Sequence, residues 1–254
     1  MAMPLIDDRS LDHVIYPESD DEPMSECALQ GLAIRTLVLG FERLYSGRDD
    51  VFVGADQFWY PVKGEPKIVA APDTMVVVGL PVKPTLREIG SYRQWEHGGH
   101  VALAIEVLSP SNTWAEMVRK RQFYDRHGVD EYWVFDPAAG ALEVWVREGD
   151  ALSERAVPET GLVSPTSGVL LQVVAGELAV PDPGGGRRWL SPLDEAARAE
   201  HEAARAEHEA ARAEHEAARA DAAERRLSEL EARLAALERT QLSLIHISEP
   251  TRPY

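Results

Sequence analysis

Asp73, Glu106 and Lys120 are the residues whose types and spacing could do chemistry. Asp73 follows Pro72 at the mouth of an apolar stretch, 74–78, and Glu106 stands 33 positions later inside the apolar run 101–108, VALAIEVL. A carboxylate within what reads as a buried strand is costly unless something pairs with it or uses it. Two carboxylates on neighbouring strands can share a hard divalent cation, Mg2+ or Mn2+, with waters and a substrate phosphate completing the shell. The Val107 carbonyl, beside Glu106, is a candidate further ligand. Such an ion polarises a phosphodiester and lowers the pKa of a bound water. The Lys120 ammonium nearby favours hydroxide and offsets charge that develops in the transition state. Each residue also has a plainer reading. Asp73 is then a turn acid, Glu106 a structural partner of Arg119, Lys120 or Arg121, and Lys120 a solvated helix charge.

The elements that position these groups are legible as patterns. Residues 24–45 read as a helix with Ser25 as N-cap, Glu26 in the first turn and Gly47 beyond its end. Strands are expected at 51–53, 74–78, 101–108, 131–135 and 141–146, with a closing pair at 170–174 and 177–180. Residues 80–100, rich in Gly, Pro and His, read as a long loop. Residues 112–127 read as a helix capped by Asn112, with Gly128 supplying the left-handed exit. The expected organisation is a domain over 1–180, a Gly/Pro linker over 181–192 and a heptad-repeat helix over 193–241. In that helix AARAEHE occurs three times, and Leu227, Leu230, Leu234 and Leu237 follow at 3-4-3 spacing. A seam of alanine, then leucine, reads as a coiled-coil arm that makes a homo-oligomer. The stretch 242–254, LSLIHISEPTRPY, resembles the conceptual translation of a sequencing-library adapter and is set apart from the fold.

Bulk properties narrow the function classes. The formal net charge is -17, which excludes a protein that coats nucleic acid through a broad basic surface. It leaves room for a nuclease with a local cationic rim. No apolar run approaches membrane-spanning length, and the N-terminus lacks a basic-then-apolar signal pattern, so the expected setting is cytoplasmic, with no membrane partner. The single cysteine, Cys27, rules out a disulfide framework and a cysteine zinc site. Glu96, His97 and His100 read as a mobile loop rather than a metal cluster. His201, His208 and His215 read as a repeat-borne polar face.

The order of short motifs adds a resemblance. Tyr16-Pro17, Pro23-Met24-Ser25-Glu26, Pro72-Asp73, Ile105-Glu106-Val107-Leu108-Ser109-Pro110-Ser111, Lys120, Tyr124, Gly128-Val129, Glu131-Tyr132-Trp133 and Asp136-Pro137 occur in that order. Over roughly residues 16–180 the series closely resembles the Uma-two (Uma2) family of bacterial proteins described as restriction endonucleases, within the PD-(D/E)XK nuclease superfamily. The plain superfamily signature has a lysine two residues after the strand acid, where this chain has Leu108. The resemblance implies that the lysine role has moved to the following helix, at Lys120, with Asp73 and Glu106 as the acids and Glu26 as an auxiliary acid. The chain departs from the family at Asp21-Glu22 and at Gln30, where a histidine is frequent.

The expected fold is therefore α/β, a restriction-endonuclease-like mixed sheet flanked by helices, followed by a helical coiled-coil arm. The expected function is Mg2+- or Mn2+-dependent endonucleolytic hydrolysis of phosphodiesters, with DNA as the nucleic-acid partner. The alternative is a non-catalytic binding or scaffold protein that keeps the nuclease fold and oligomerises through its arm.

Overall fold

The computed structural model describes residues 14–17, 28–84, 89–181 and 188–247. Its elements run α1 (Ala28–Leu44), β1 (Val51–Gly54), β2 (Trp59–Tyr60), β3 (Thr74–Val78), β4 (Tyr92–Arg93), α2 (Gln94–His97), β5 (His100–Val107) and α3 (Trp114–Arg126). They continue with β6 (Glu131–Asp136), β7 (Ala141–Glu148), β8 (Ala151–Arg155), β9 (Leu162–Val163), β10 (Leu170–Val174), β11 (Glu177–Ala179) and α4 (Pro192–Ile247). The chain divides into two compact units, 1–194 and 195–254.

The first unit is built on a six-stranded mixed sheet of order β1-β3-β5-β6-β7-β8. Within this sheet only β5 and β6 pair in parallel, and the crossover between them is the helix α3. The other neighbours pair antiparallel. The central strands are β-branched and apolar, as a strand covered on both faces must be. On one face α1 sets Ile34, Leu37 and Phe41 against Val76, Leu103, Ile105, Val107, Trp133 and Phe135. On the other, Met75, Val77, Val101, Ala104 and Tyr132 pack with Trp59, Tyr92 and Tyr124. Each large apolar side chain buried in these layers contributes roughly 1.5–3 kcal/mol.

The face on which Glu106 stands follows from the pleat and one irregularity. The β3–β5 register shifts between Val76 and Val77, so Val77 pairs with Val101 while Val76 pairs with Leu103. Ala102 is the extra residue of a β-bulge, which resets the alternation. Beyond it, Leu103, Ile105 and Val107 face α1, and Ala104 and Glu106 face α3. The inward side of α3 is accordingly polar as well as apolar, and Tyr124 is its only fully buried residue.

Several sequence expectations need correction. The loop 80–100 contains β4 and α2, and β4 pairs in parallel with β2. β8 and the short β9 were not foreseen, because β8 is a largely exposed edge strand with little apolar pattern. Thr113, not Asn112, caps α3: its hydroxyl accepts from Glu116 N at 3.2 Å. The Asn112 side chain is already engaged, since its Oδ1 accepts from Ser109 N at 2.8 Å and closes the preceding turn. The described part of the second unit is one helix, α4, which ends at Ile247 among the described residues. Among the described residues no helix is long and apolar enough to cross a membrane.

Candidate active site

Asp73 immediately precedes β3. Thr74 pairs with Ile105, so continuing the antiparallel register by one residue sets Asp73 opposite Glu106. The Asp73 carboxylate accepts from Val107 N at 2.6 Å through Oδ2. Oδ1 has no hydrogen-bond partner among the described residues. Burial, reinforced by the nearby Glu106 charge, pushes the Asp73 carboxyl up to about 8, against the opposing Val107 N–H and Lys120. Asp56, whose N–H donates to Pro72 O at 3.1 Å, adds a further repulsive charge.

Glu106 is 2 % exposed. Lys120 Nζ donates to its Oε2 at 2.7 Å, and the Tyr124 hydroxyl donates to its Oε1 at 2.5 Å. Lys120 and Tyr124 are four apart on α3, one helical turn, so both reach the same strand position. Burial pushes the Glu106 carboxyl above its ordinary range, opposed by Lys120 and Tyr124. Burial alone would weaken the Lys120 charge, but Glu106 and Asp73 outweigh it, and the ammonium is held above its usual pKa. Lys120 is therefore a fixed cation at neutral pH rather than a proton acceptor. Glu116, in the first turn of α3, lies one turn before Lys120 and adds negative potential at Glu106 and Lys120.

Two supports hold this arrangement. The Trp59 ring lies parallel to Tyr124, with interplanar angle 3° and centroids 6.3 Å apart. Its Nε1 donates to Gln94 Oε1 at 3.2 Å, which ties β2 and α2 to the back of the site. From the opposite face, Gln30 of α1 donates through Nε2 to the Val107 carbonyl at 3.0 Å. That carbonyl, expected as a metal ligand, thus has one protein donor and a second lone pair. Tyr124→Phe is expected to lower stability by about 1.5–3 kcal/mol, the worth of a hydrogen bond to a charged group; urea unfolding at pH 7 measures it.

The structure brings Asp73, Glu106, Val107 and Lys120 together. Glu26 lies outside the described residues. His97 and His100 are not part of the site. His97 Nδ1 is 2.9 Å from Arg93 O, and His100 Nε2 is 2.7 Å from Asp130 Oδ2. His100 and Glu106 are six strand residues apart, roughly 20 Å. Glu131, named from sequence only within the motif Glu131-Tyr132-Trp133 and given no role, is fully buried and accepts from Trp133 Nε1 at 2.7 Å, Ser164 Oγ at 2.7 Å and Thr166 N at 3.2 Å. Three neutral donors make Glu131 a structural clamp on the 164–167 turn. Trp133, two residues on and facing the same way, was the available signal.

The donor set fits a hard divalent cation. The half-buried Asp73 and the buried Glu106 share one ammonium, and Asp73 Oδ1, without a hydrogen-bond partner among the described residues, can accept a cation that displaces the carboxyl proton. The buried Tyr132 hydroxyl also lacks a hydrogen-bond partner among the described residues and lies within electrostatic reach of both acids. No cluster of three or more His, Cys, Asp or Glu suited to a metal occurs among the described residues. Two carboxylates with waters and a phosphate suit Mg2+ or Mn2+, whereas a dedicated all-protein cage does not occur among those residues.

These features define a mixed α/β protein with a carboxylate–lysine site at the end of its central strands. The chain belongs to the Uma2 family, described as "Putative restriction endonuclease", whose model matches residues 24–180. Membership supports a nuclease. Among solved structures, the chain resembles a "putative nuclease belonging to DUF820" from Anabaena variabilis ATCC 29413, at 13% identity and a TM-score of 0.44, over 57% of this chain and 76% of that one. No curated protein matches the chain.

Proposed function

We propose that the protein is a divalent-metal-dependent endonuclease that hydrolyses phosphodiesters in DNA. The observation that carries this reading is the meeting of Asp73 and Glu106 on one face with Lys120 bonded to Glu106 at 2.7 Å. Asp73 and Glu106 would hold Mg2+ or Mn2+, with the Val107 carbonyl as a further oxygen donor and Glu26 as an auxiliary acid. The ion supplies Lewis acidity toward the phosphate and a lowered pKa for bound water. Val107 N–H fixes the Asp73 carboxylate, and Tyr124 fixes that of Glu106. The Lys120 ammonium orients water and offsets charge on the phosphoryl oxygens. Supercoiled plasmid with Mn2+ tests the reading: wild type nicks it and Glu106→Gln does not, whereas equal nicking by both sinks the assignment.

A pH dependence follows from Asp73. Its folded pKa, about 8, is above the ordinary carboxylate value. The folded, metal-free chain therefore holds a proton that the unfolded chain has already released between about pH 4 and pH 8. Metal-free stability falls as pH rises through that window, by up to about 1.4 kcal/mol per unit. A cation must displace the same proton. Mn2+ affinity is expected to climb about tenfold per unit up to about pH 8 and then level off, with nearly one proton released per ion at pH 6.5. Calorimetry in buffers of different ionisation enthalpy reads the proton directly; a flat affinity across pH 6–8 contradicts it.

The leucine stripe on α4 favours a second role, self-assembly. Leu227, Leu230, Leu234 and Leu237 are 56–68% exposed in the single chain. An i, i+3, i+7 stripe of this kind is covered when two helices pair. Leu230→Glu with Leu234→Glu is expected to shift the full-length protein to monomer in sedimentation velocity, with plasmid nicking retained. An unchanged sedimentation coefficient removes the pairing.

A further inference from the structure

Trp114 is the first residue of α3, and it is 83% exposed. The chain's other tryptophans are engaged: Trp59, Trp133, Trp145 and Trp189 are at most 7% exposed, and Trp95 packs on Tyr16. The Trp114 indole has no ring or hydrogen-bond partner among the described residues. Its neighbours Ser111, Thr113 and Ala115 are small or polar. On the helix face its i+3 and i+4 neighbours are Met117 and Val118, both half-buried, so the indole is the one large exposed apolar side chain of α3.

Its position relates it to the site. β5 delivers Glu106, the 109–112 turn follows, and Thr113 caps the helix that sends Lys120 back to Glu106. Trp114 and Lys120 are six residues apart, about 9 Å along the axis and about a third of a turn round it. That length covers two to three base steps of a strand. The charge on α3 suits a polyanion. The helix carries Arg119, Lys120, Arg121 and Arg126 against Glu116 and Asp125; Lys120 is bonded to Glu106 and Arg121 lies 5.5 Å over the Trp145 ring, so the cation presented to a backbone beside Trp114 is the exposed Arg119. Arg119-Lys120-Arg121 is the chain's only run of three successive basic residues. Trp114 also stands in the first turn of α3, the positive end of the helix dipole.

We propose that Trp114 is a base-stacking anchor: an unpaired nucleobase of the bound strand, two to three nucleotides from the scissile phosphate, stacks on its indole while α3 supports the backbone. The inference rests on the nuclease reading and deepens it to a substrate form, since a base can lie flat on Trp114 only where the strand is single or frayed. Every base offers a π face, so the anchor selects strand state rather than sequence.

Anisotropy of a labelled 12-nucleotide single strand tests it. The strand is mixed with Mg2+ and the full-length chain carrying Asp73→Asn, so that it is not consumed. Adding Trp114→Ala is expected to weaken binding about tenfold to a hundredfold, and Trp114→Phe only slightly. Moving one abasic site along the strand is expected to find a position that weakens the Trp114 protein and leaves the Trp114→Ala protein unaffected. Melting temperatures of the Trp114 variants should match their parent, because the side chain is exposed. Equal binding by Trp114→Ala, the same abasic penalty in both proteins, or no strand binding by the parent overturns the proposal. So does a change in sedimentation on Trp114→Ala, which assigns the indole to a contact between copies. Stacking without plasmid nicking by the wild type leaves the anchor standing and removes the hydrolysis; nicking without stacking does the reverse.

Discussion

Asp73→Asn is expected to abolish plasmid nicking and to raise the melting temperature of the metal-free protein. The two effects have one cause. The carboxyl is half-buried, faces Glu106, and is pushed up to about 8. At neutral pH the folded chain must therefore take up a proton that the unfolded chain has released, which costs folding free energy, on the order of a few kcal/mol from the shift alone. Asparagine keeps an oxygen to accept from Val107 N–H and carries no charge. A gain of about 2 kcal/mol, or roughly 4–8 °C for a chain of this size, is expected without metal at pH 7.5. With Mn2+ the ranking reverses, because a bound cation stabilises only the wild type. Scanning calorimetry with and without Mn2+ measures both. A metal-free protein destabilised by Asp73→Asn shows Asp73 to be a structural acid. Strain of this kind at a working site is the usual trade between stability and activity.

Lys120→Met carries the second large effect. Glu106 is 2 % exposed and would keep only Tyr124 as a donor. Removing one member of a buried ion pair costs about 3–5 kcal/mol, more than the pair contributes, because the remaining charge is left buried. Glu106 would then take up a proton, so the loss should be greater at pH 8 than at pH 5. Nicking should fall about 10²–10³-fold, as when a charge-stabilising group is removed. Adding Glu106→Gln to Lys120→Met should recover most of the stability and none of the activity. If the single variant unfolds like wild type in urea, Lys120 is a solvated helix charge and the pair does not hold in solution.

What could be read from the sequence was the interruption of a pattern. Glu106 stood out because it broke the run VALAIEVL, and the strand, the helix after it and their order are all present. Lys120 and Tyr124 stand at one-turn spacing, but a tyrosine there reads as ordinary core packing, so its bond to Glu106 was not foreseen. The bulge at Ala102 was not foreseeable, because it is set by pairing with β3 and leaves no mark on composition. Yet it ensures that Val101 and Glu106 share a face. Glu131 was given no role for the opposite reason: it sits at the start of a strand, where an acid looks like a turn residue, and its donors Ser164 and Thr166 are more than thirty positions away. Asn112 and Thr113 are equivalent caps by type. Competition from Ser109 for the asparagine decided between them.

The long helix was the clearest feature in composition and the least informative in packing. Its heptads specify a helix through alanine-rich propensity and Glu/Arg spacing. Ion pairs such as Arg198–Glu202 at 3.6 Å and Arg205–Glu209 at 3.8 Å follow that spacing. Such exposed pairs are worth only a few tenths of a kcal/mol each. The leucine stripe, not the ion pairs, is what could hold a second copy.

The central claim is that Asp73 and Glu106 together hold one divalent cation. Counting bound Mn2+ by electron paramagnetic resonance at pH 8 tests it most directly. One tightly held ion per wild-type chain, and none in either Asp73→Asn or Glu106→Gln, is the expected result; an ion count that both substitutions leave unchanged contradicts it.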